Sequence, residues 1–301
     1  MQFLYRIIYQ SNINFILRNL NRLLYPILPK FIRIPPSGEI TIVNSANLEL
    51  KLKTNQTSYL TQLIYWDGGY LNFEYAGLFI SLIKKVNTFY DIGANIGFYS
   101  LIAAQENAGI KVVGFEPALG PLFYFRENVR INKFKNIQIE SIALSHQVSG
   151  EIEFYEVSNK KYKYLKYNLA GENNAGSKKV GRNFKLNKVF TTTLDSFVYK
   201  ENEGMIDLIK IDTEGTENLI LDHSSEVLCK MKPIIICETL FNTIEKELET
   251  IFMEHGYEFF NHTDKGLIKV DSIVRSEDNG IRNCFFVHPT KFHLVKEYVV
   301  N

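Results

Sequence analysis

The sequence predicts an α/β fold, a doubly wound and mainly parallel sheet with helices on both faces. Three observations carry that expectation. Short apolar runs rich in β-branched and aromatic residues, at 86–90, 110–115, 206–211 and 233–237, alternate with stretches of helical periodicity. The first run passes through Asp-Ile-Gly-Ala-Asn-Ile-Gly at 91–97 into Leu101, Ile102, Ala103 and Ala104, the pattern of a strand, a tight loop and a helix. Each of the four runs is followed by an acid: Asp91, Glu116, Asp212 and Glu238. Ligands of open α/β sheets bind beyond the carboxyl ends of the strands, so these four should converge there.

The elements follow in order. Residues 1–30 carry only basic charges, Arg6, Arg18, Arg22 and Lys30, and place Ile13, Ile16, Leu17, Leu20, Leu24 and Ile27 at helical spacing. Pro26 and Pro29 should end or kink that helix. Two readings stand: a helix packed on the catalytic domain or a second subunit, and a basic amphipathic helix on an anionic membrane surface. Alternation at Ile40, Ile42, Leu48, Leu50 and Leu52 predicts a small hairpin. Residues 66–70 read as a turn, and 73–85 as a helix with Phe73, Ala76, Phe79, Ile80 and Ile83 on one face.

Beyond Glu116, Pro117 lies near a helix start, and Leu122, Phe125 and Val129 share a face. Ile137 and Ile139 mark a third strand reaching Ile142 and Ala143, which would either pack on a purine or belong to the core. Residues 150–157 read as an added strand. Residues 158–188 then carry nine basic side chains against the single acid Glu172, with several tyrosines. Such an insertion beside a site is either a substrate lid or a solvated surface loop. Residues 189–193 lead into a helix that Asp195 would cap. Residues 243–255 read as a helix, and 257–260 and 283–287 as late strands.

Bulk properties narrow the class. The chain has 301 residues, 46% hydrophobic and 22% charged, and a net charge of +1. That balance gives no global argument for nucleic acid. Cys229, Cys237 and Cys284 form no C-x-x-C pair, so neither a disulfide framework nor a zinc site is expected, and a cytoplasmic location is. No run of about 20 apolar residues predicts a spanning helix.

The loop spacing points to a ligand. Gly93 and Gly97 fit neither the dinucleotide fingerprint nor a P-loop. An acid closing the second strand, Glu116, is placed to accept a ribose diol. The segments 91–97, Phe115-Glu116-Pro117 and Lys210-Ile211-Asp212-Thr213-Glu214-Gly215-Thr216-Glu217 together resemble the FkbM family of S-adenosylmethionine-dependent methyltransferases, from about residue 66 to 287.

The resemblance implies a class I, Rossmann-like methyltransferase, S-adenosylmethionine as cofactor, and O-methylation of a sugar, glycan or secondary metabolite. The run of elements divides the chain into an N-terminal amphipathic helical segment (1–36), a strand and helix lead-in (37–85) and a methyltransferase domain (86–301) carrying the basic insertion. Cofactor contacts are expected from Asp91, Gly93, Ala94, Asn95, Gly97, Phe98, Tyr99, Glu116, Pro117, Ile142, Ala143 and Asp212.

Removing a hydroxyl proton calls for a base, and Asp212, Glu214 and Glu238 are the candidates. Alternatively Asp212 with Glu214 or Glu238 would hold a divalent cation such as Mg²⁺, although no metal site is predicted. Lys210 would pair with one of these acids, and Glu217 would cap the following helix. His223 is the one histidine near the predicted face. Two alternatives to the O-methyltransferase remain: a nucleic-acid methyltransferase using the basic loop, and a non-catalytic scaffold recruited to a membrane or partner.

Overall fold

The computed structural model describes residues 2–24, 27, 32–43, 48–67, 69–158, 160–169, 183–201 and 204–300. Helices α1 (Gln2–Ile8) and α2 (Ser11–Leu23) precede a hairpin of β1 (Gly38–Val43) and β2 (Glu49–Thr54). Helices α3 (Tyr59–Trp66) and α4 (Ala76–Ile83) lead into the first core strand, β3 (Thr88–Ile92). Next come α5 (Phe98–Glu106), β4 (Lys111–Phe115), α6 (Leu119–Asn132), β5 (Ile137–Glu140) and a short β6 (Ala143–Leu144). Strands β7 (Gly150–Ser158) and β8 (Asn183–Thr192) are followed by α7 (Leu194–Lys200), β9 (Leu208–Ile211), α8 (Glu217–Leu221) and β10 (Ile234–Glu238). The chain ends with α9 (Glu245–Glu254), β11 (Glu258–Thr263), β12 (Gly266–Val270), β13 (Asn283–Val287), α10 (Phe292–Val295) and β14 (Val299–Val300).

The main sheet has the order β14-β12-β11-β13-β10-β9-β3-β4-β5. From β10 to β5 every pairing is parallel, while β13 and β11 add antiparallel. The chain winds outward from β3 through β4 and β5, then returns to β9 and β10 on the other side. The switch point therefore lies between β3 and β9, where a crevice opens beyond the strand ends.

Period-two alternation explains the two faces. Phe89, Val112, Leu208, Ile234 and Ile236 point toward α4, α5 and the hairpin. Tyr90, Ile92, Val113, Ile209, Ile211, Ile235 and Cys237 point toward α7, α8 and α9. The hairpin residues Ile40, Leu50 and Leu52 share the first of these cores with Phe89, so the lead-in is built into the catalytic body.

Several expectations are corrected. Asp91 lies within β3 and not after it, because the strand runs to Ile92. Ala143 leaves the main sheet: β6 joins β8 and β7 in a separate three-stranded sheet. Residues 183–188 of the expected loop are strand, paired along β7 from Gly150↔Thr191 to Ser158↔Asn183. The basic residues Lys178, Lys179 and Arg182 of that insertion lie outside the described residues, as do Pro26, Pro29 and Lys30. Thr193, not Asp195, caps α7 by accepting from the Ser196 N–H (3.1 Å). Asp195 instead accepts from the N–H groups of Glu226 and Val227 on the neighbouring turn. Helix α3 is not among the expected elements, and it takes in Trp66 of the expected 66–70 turn; Ser58 gives it an N-cap.

The N-terminal helices dock in the opposite sense to their hydrophobic pattern. The buried residues of α2 are Asn14, Arg18 and Asn21. Asn14 Oδ1 accepts from the Ser37 N–H (2.7 Å), Arg18 donates to the Ser37 carbonyl (3.1 Å) and to that of Glu39, and Asn21 Oδ1 accepts from the Ile34 N–H (2.9 Å). These side chains satisfy the backbone entering β1, which would otherwise be partly buried without partners. Ile16, Leu20 and Leu23 face outward. Each would gain about 1.5–3 kcal/mol on full burial. Among the described residues, no helix is long and apolar enough to cross a membrane.

Arg18→Met should lower the unfolding free energy by about 1–3 kcal/mol, through loss of charged donors to partly buried carbonyls. Leu20→Ser, on the exposed side, should change it by less than about 0.5 kcal/mol. Urea unfolding measures both, and the reverse ranking would show that α2 is held by its apolar side.

Candidate active site

The site begins where β3 ends. Gly93 has φ +75°, and a Cβ there would lie 1.9 Å from the carbonyl oxygen of Asp212. Only glycine lets the loop press this closely on the end of β9. Gly97, at φ +82°, starts α5, and an added Cβ would strike the Phe125 ring. Both positions are required by packing, and Gly97 does not line the cavity.

Asp91 is buried behind the loop. Its Oδ2 accepts from the backbone N–H (3.1 Å) and hydroxyl (2.6 Å) of Ser100 on α5. Its Oδ1 accepts no hydrogen bond among the described residues and lies 3.8 Å from Lys210 Nζ. Burial pushes its pKa up, against the Lys210 charge and the Ser100 donors.

Lys210 is the centre of the arrangement. From β9 its Nζ donates to Asp212 Oδ2 (3.2 Å) and to the Gly93 carbonyl (3.3 Å). Burial opposes its charge, but Asp212 and Asp91 outweigh that and raise its pKa. One cation thus ties β3, the glycine loop and β9 together.

Glu116, the acid beyond β4, accepts from the Asn95 N–H through Oε2 and from the Ala118 N–H through Oε1, both at 2.8 Å. Each oxygen keeps acceptor capacity for a ligand hydroxyl. Burial pushes its pKa up to about 8, against the two backbone donors. Glu217 closes the loop after β9 by accepting from the N–H groups of Thr213 (2.6 Å) and Gly215 (3.1 Å); both donors precede α8, so this differs from the helix capping expected of it.

A cavity of about 500 Å³ opens over these strand ends. Gly93, Ala94, Asn95, Phe98, Tyr99, Glu116, Pro117, Ile142, Ala143, Asp212, Glu214 and Glu238 all line it. Asp91 stands behind the lining. His223 is absent from the lining and bonds the Leu219 carbonyl through Nδ1 (3.2 Å), within its own helical turn. Glu238, the last residue of β10, is pushed to about 8 by burial, with Asp212, Glu214 and Glu217 adding repulsion. Among the described residues, no three His, Cys, Asp or Glu side chains are grouped to hold a metal ion.

Several lining residues were missed by sequence reasoning. Glu74 precedes α4, accepts from the Tyr99 hydroxyl (3.0 Å), and has its pKa raised by burial. Ser58, Leu60 and Leu63 come from α3 and its cap, Glu153 and Glu156 from β7, and Asn168 and Leu169 from the insertion. One signal was available for α3, namely Ser58 directly before the apolar stretch 59–66, where its side chain accepts from the Thr61 N–H. No local signal places Glu74. Its backbone is left-handed (φ 45°), as are those of Asn95 (φ 53°) and Glu214 (φ 61°). Three such residues around one cavity is the kind of clustering that strained backbone shows at functional sites.

The winding of the sheet, the tight loop after its first core strand and the acid after its second define a class I, Rossmann-like methyltransferase. The Methyltransferase FkbM domain matches residues 91–259, more than half of the chain, and the protein belongs to that family. It is a methyltransferase whose class takes its methyl group from S-adenosylmethionine. No curated protein matches the chain. Solved structures that resemble it include the METTL16 MTase domain, at 12% identity over 89% of this chain and 91% of that one (TM-score 0.46). Precorrin-6y C5,15-methyltransferase from Geobacter metallireducens GS-15 is 11% identical over 71% of this chain and 87% of that one (TM-score 0.40). Methyltransferase FkbM from Methylobacillus flagellatus KT is 12% identical over 66% of this chain (TM-score 0.42), which spans only 43% of that longer protein.

The residues present fit the cofactor. A carboxylate with free acceptor capacity, Glu116, suits a ribose diol, and Pro117, Ile142 and Ala143 supply apolar surface beside it for a purine. The cavity volume suits a drug-sized ligand.

Glu116→Ala should weaken S-adenosylhomocysteine binding by about tenfold, the cost of losing two hydrogen bonds to the ribose hydroxyls. Calorimetric titration measures this, and an unchanged affinity would remove Glu116 from the binding set. Lys210→Met should cost about 3–5 kcal/mol of stability, because it leaves the carboxylate of Asp91 buried beside no cation. Thermal and chemical unfolding both report it.

Proposed function

We propose that the protein O-methylates a neutral hydroxyl, on a sugar, glycan or small metabolite, with Glu238 as general base. The lining of the cavity carries this reading: it includes Glu74, Glu116, Glu153, Glu156, Asp212, Glu214 and Glu238, with Lys210 as the basic residue among them. That lysine is already engaged by Asp212, the Gly93 carbonyl and Asp91. Such a cavity repels phosphate and offers many acceptors to a polyol.

When bound, S-adenosylmethionine supplies an electrophilic methyl carbon on a sulfonium sulfur. Glu116 and the 93–95 loop would hold its nucleoside and amino-acid ends. Asp212, fixed by Lys210, presents a carboxylate edge at the switch point and would orient the acceptor hydroxyl. Glu238 would take the proton from that hydroxyl as its oxygen attacks. A carboxyl raised to about 8 is a stronger base than an ordinary one, with roughly a tenth of it ionised at pH 7 and more as the pH rises. Holding acceptor and donor in line supplies much of the rest of the acceleration.

The sign of the pH dependence follows. Glu238 accepts a proton only when ionised, and its pKa is raised. The turnover number should therefore climb as pH rises through about 8 and then level off. Glu238→Gln should reduce it by about a hundredfold or more and flatten that limb, while S-adenosylhomocysteine still binds. Screening glycans and hydroxylated metabolites for a one-methyl mass increase identifies the acceptor. Methylation of RNA or DNA, with no neutral acceptor found, would replace this reading by the nucleic-acid one.

A further inference from the structure

We propose that the outward apolar face of α1 and α2 docks the protein on an anionic lipid surface. The face is formed by Phe3, Leu4 and Ile7 on α1 and Ile16, Leu20 and Leu23 on α2, all exposed. Nothing among the described residues covers it. It is held outward because the opposite side of α2 is occupied: Asn14, Arg18 and Asn21 are bonded to the backbone of residues 34–39. Rotating α2 to bury its leucines would break that network and expose the carbonyls it serves. The helix therefore presents an apolar stripe as a fixed feature of the fold.

Charge identifies the occupant. The first 38 residues contain five basic side chains and no acid. Arg18 is buried on the carbonyls of Ser37 and Glu39, Arg33 pairs with Asp67 (2.9 Å) and Lys30 lies outside the described residues, so the charge available to a surface comes from Arg6 and Arg22. Arg6 and Arg22 are exposed on the same two helices. The chain as a whole is nearly neutral, so the remainder is net acidic and would be repelled by the surface that attracts this segment. A second copy seated symmetrically on the same face would bring arginines against arginines. An anionic headgroup layer above an acyl interior matches both the charge and the apolar stripe.

The docking helices are also continuous with the wall of the cavity. The Tyr164 hydroxyl donates to the Tyr5 carbonyl of α1 (3.0 Å), and the rings of Tyr5 and Tyr9 pack edge-on against Tyr162. The same segment runs on to Leu169, whose N–H donates to the Thr57 hydroxyl (2.8 Å) and which lines the cavity.

Co-sedimentation of the full chain with vesicles of phosphatidylcholine alone, or containing phosphatidylglycerol, tests this. Binding should be about tenfold or more stronger to the anionic vesicles and should weaken in high salt. The triple variant Ile16→Ser, Leu20→Ser, Leu23→Ser should lose binding while its melting temperature and S-adenosylhomocysteine affinity stay unchanged. Should the triple variant fail to fold, Arg6→Glu with Arg22→Glu provides the second arm and should abolish the preference for anionic vesicles. Absence of binding by the folded wild type, or equal binding by the variants, overturns the proposal. So does a dimer in light scattering that the triple variant converts to monomer, which would make a second copy the occupant.

Discussion

The site depends on one buried cation. Lys210 lies at the end of a central strand, where a lysine would ordinarily be costly, and its ammonium is stabilised by Asp212, Asp91 and the Gly93 carbonyl. Those partners belong to β3, to the loop that follows it and to the loop that follows β9. Their relative positions are therefore set by electrostatics as well as by backbone pairing. The close approach of Gly93 to the Asp212 carbonyl follows from the same geometry, because a side chain at that point would push the two strand ends apart.

Around that cation the cavity concentrates acids, and this shapes what it can bind. Glu116 and Glu238 both sit near 8 because burial and neighbouring carboxylates disfavour their ionised forms. The two differ in what opposes that shift. Glu116 has backbone donors on both oxygens, which fix it as a positioned acceptor. Glu238 faces Asp212, Glu214 and Glu217, so accepting a proton relieves repulsion. The same kind of side chain thus reads as a binding group on one side of the switch point and a base on the other.

The N-terminal helices show a hydrophobic pattern and a tertiary contact in opposition. Periodicity in α2 is strong, and on its own would be read as a buried apolar face. The structure buries its Asn and Arg side chains instead, because the segment entering β1 presents backbone N–H and C=O groups that need partners and a greasy face cannot supply them. The apolar stripe is left over from that solution, and remains available to a partner with an apolar interior.

The sequence by itself determined the winding of the sheet, the tight loop at 91–97, the acids at the strand ends and the family. These are local signals: period-two runs, glycines where the chain turns left-handed, and an acid directly after a run. Most of the expected cofactor residues line the cavity for the same reason. What only the tertiary structure decided is long-range. Asp91 lies behind the wall because β3 runs one residue past it. Glu74, Glu153 and Leu169 reach the cavity from segments far apart in sequence, and Lys210 is the hub where the sequence offered only a lysine inside a strand. The orientation of α2 was undecidable from its own residues, since the hydrogen-bonding needs of residues 34–39, and not the helix's hydrophobicity, choose which face is buried.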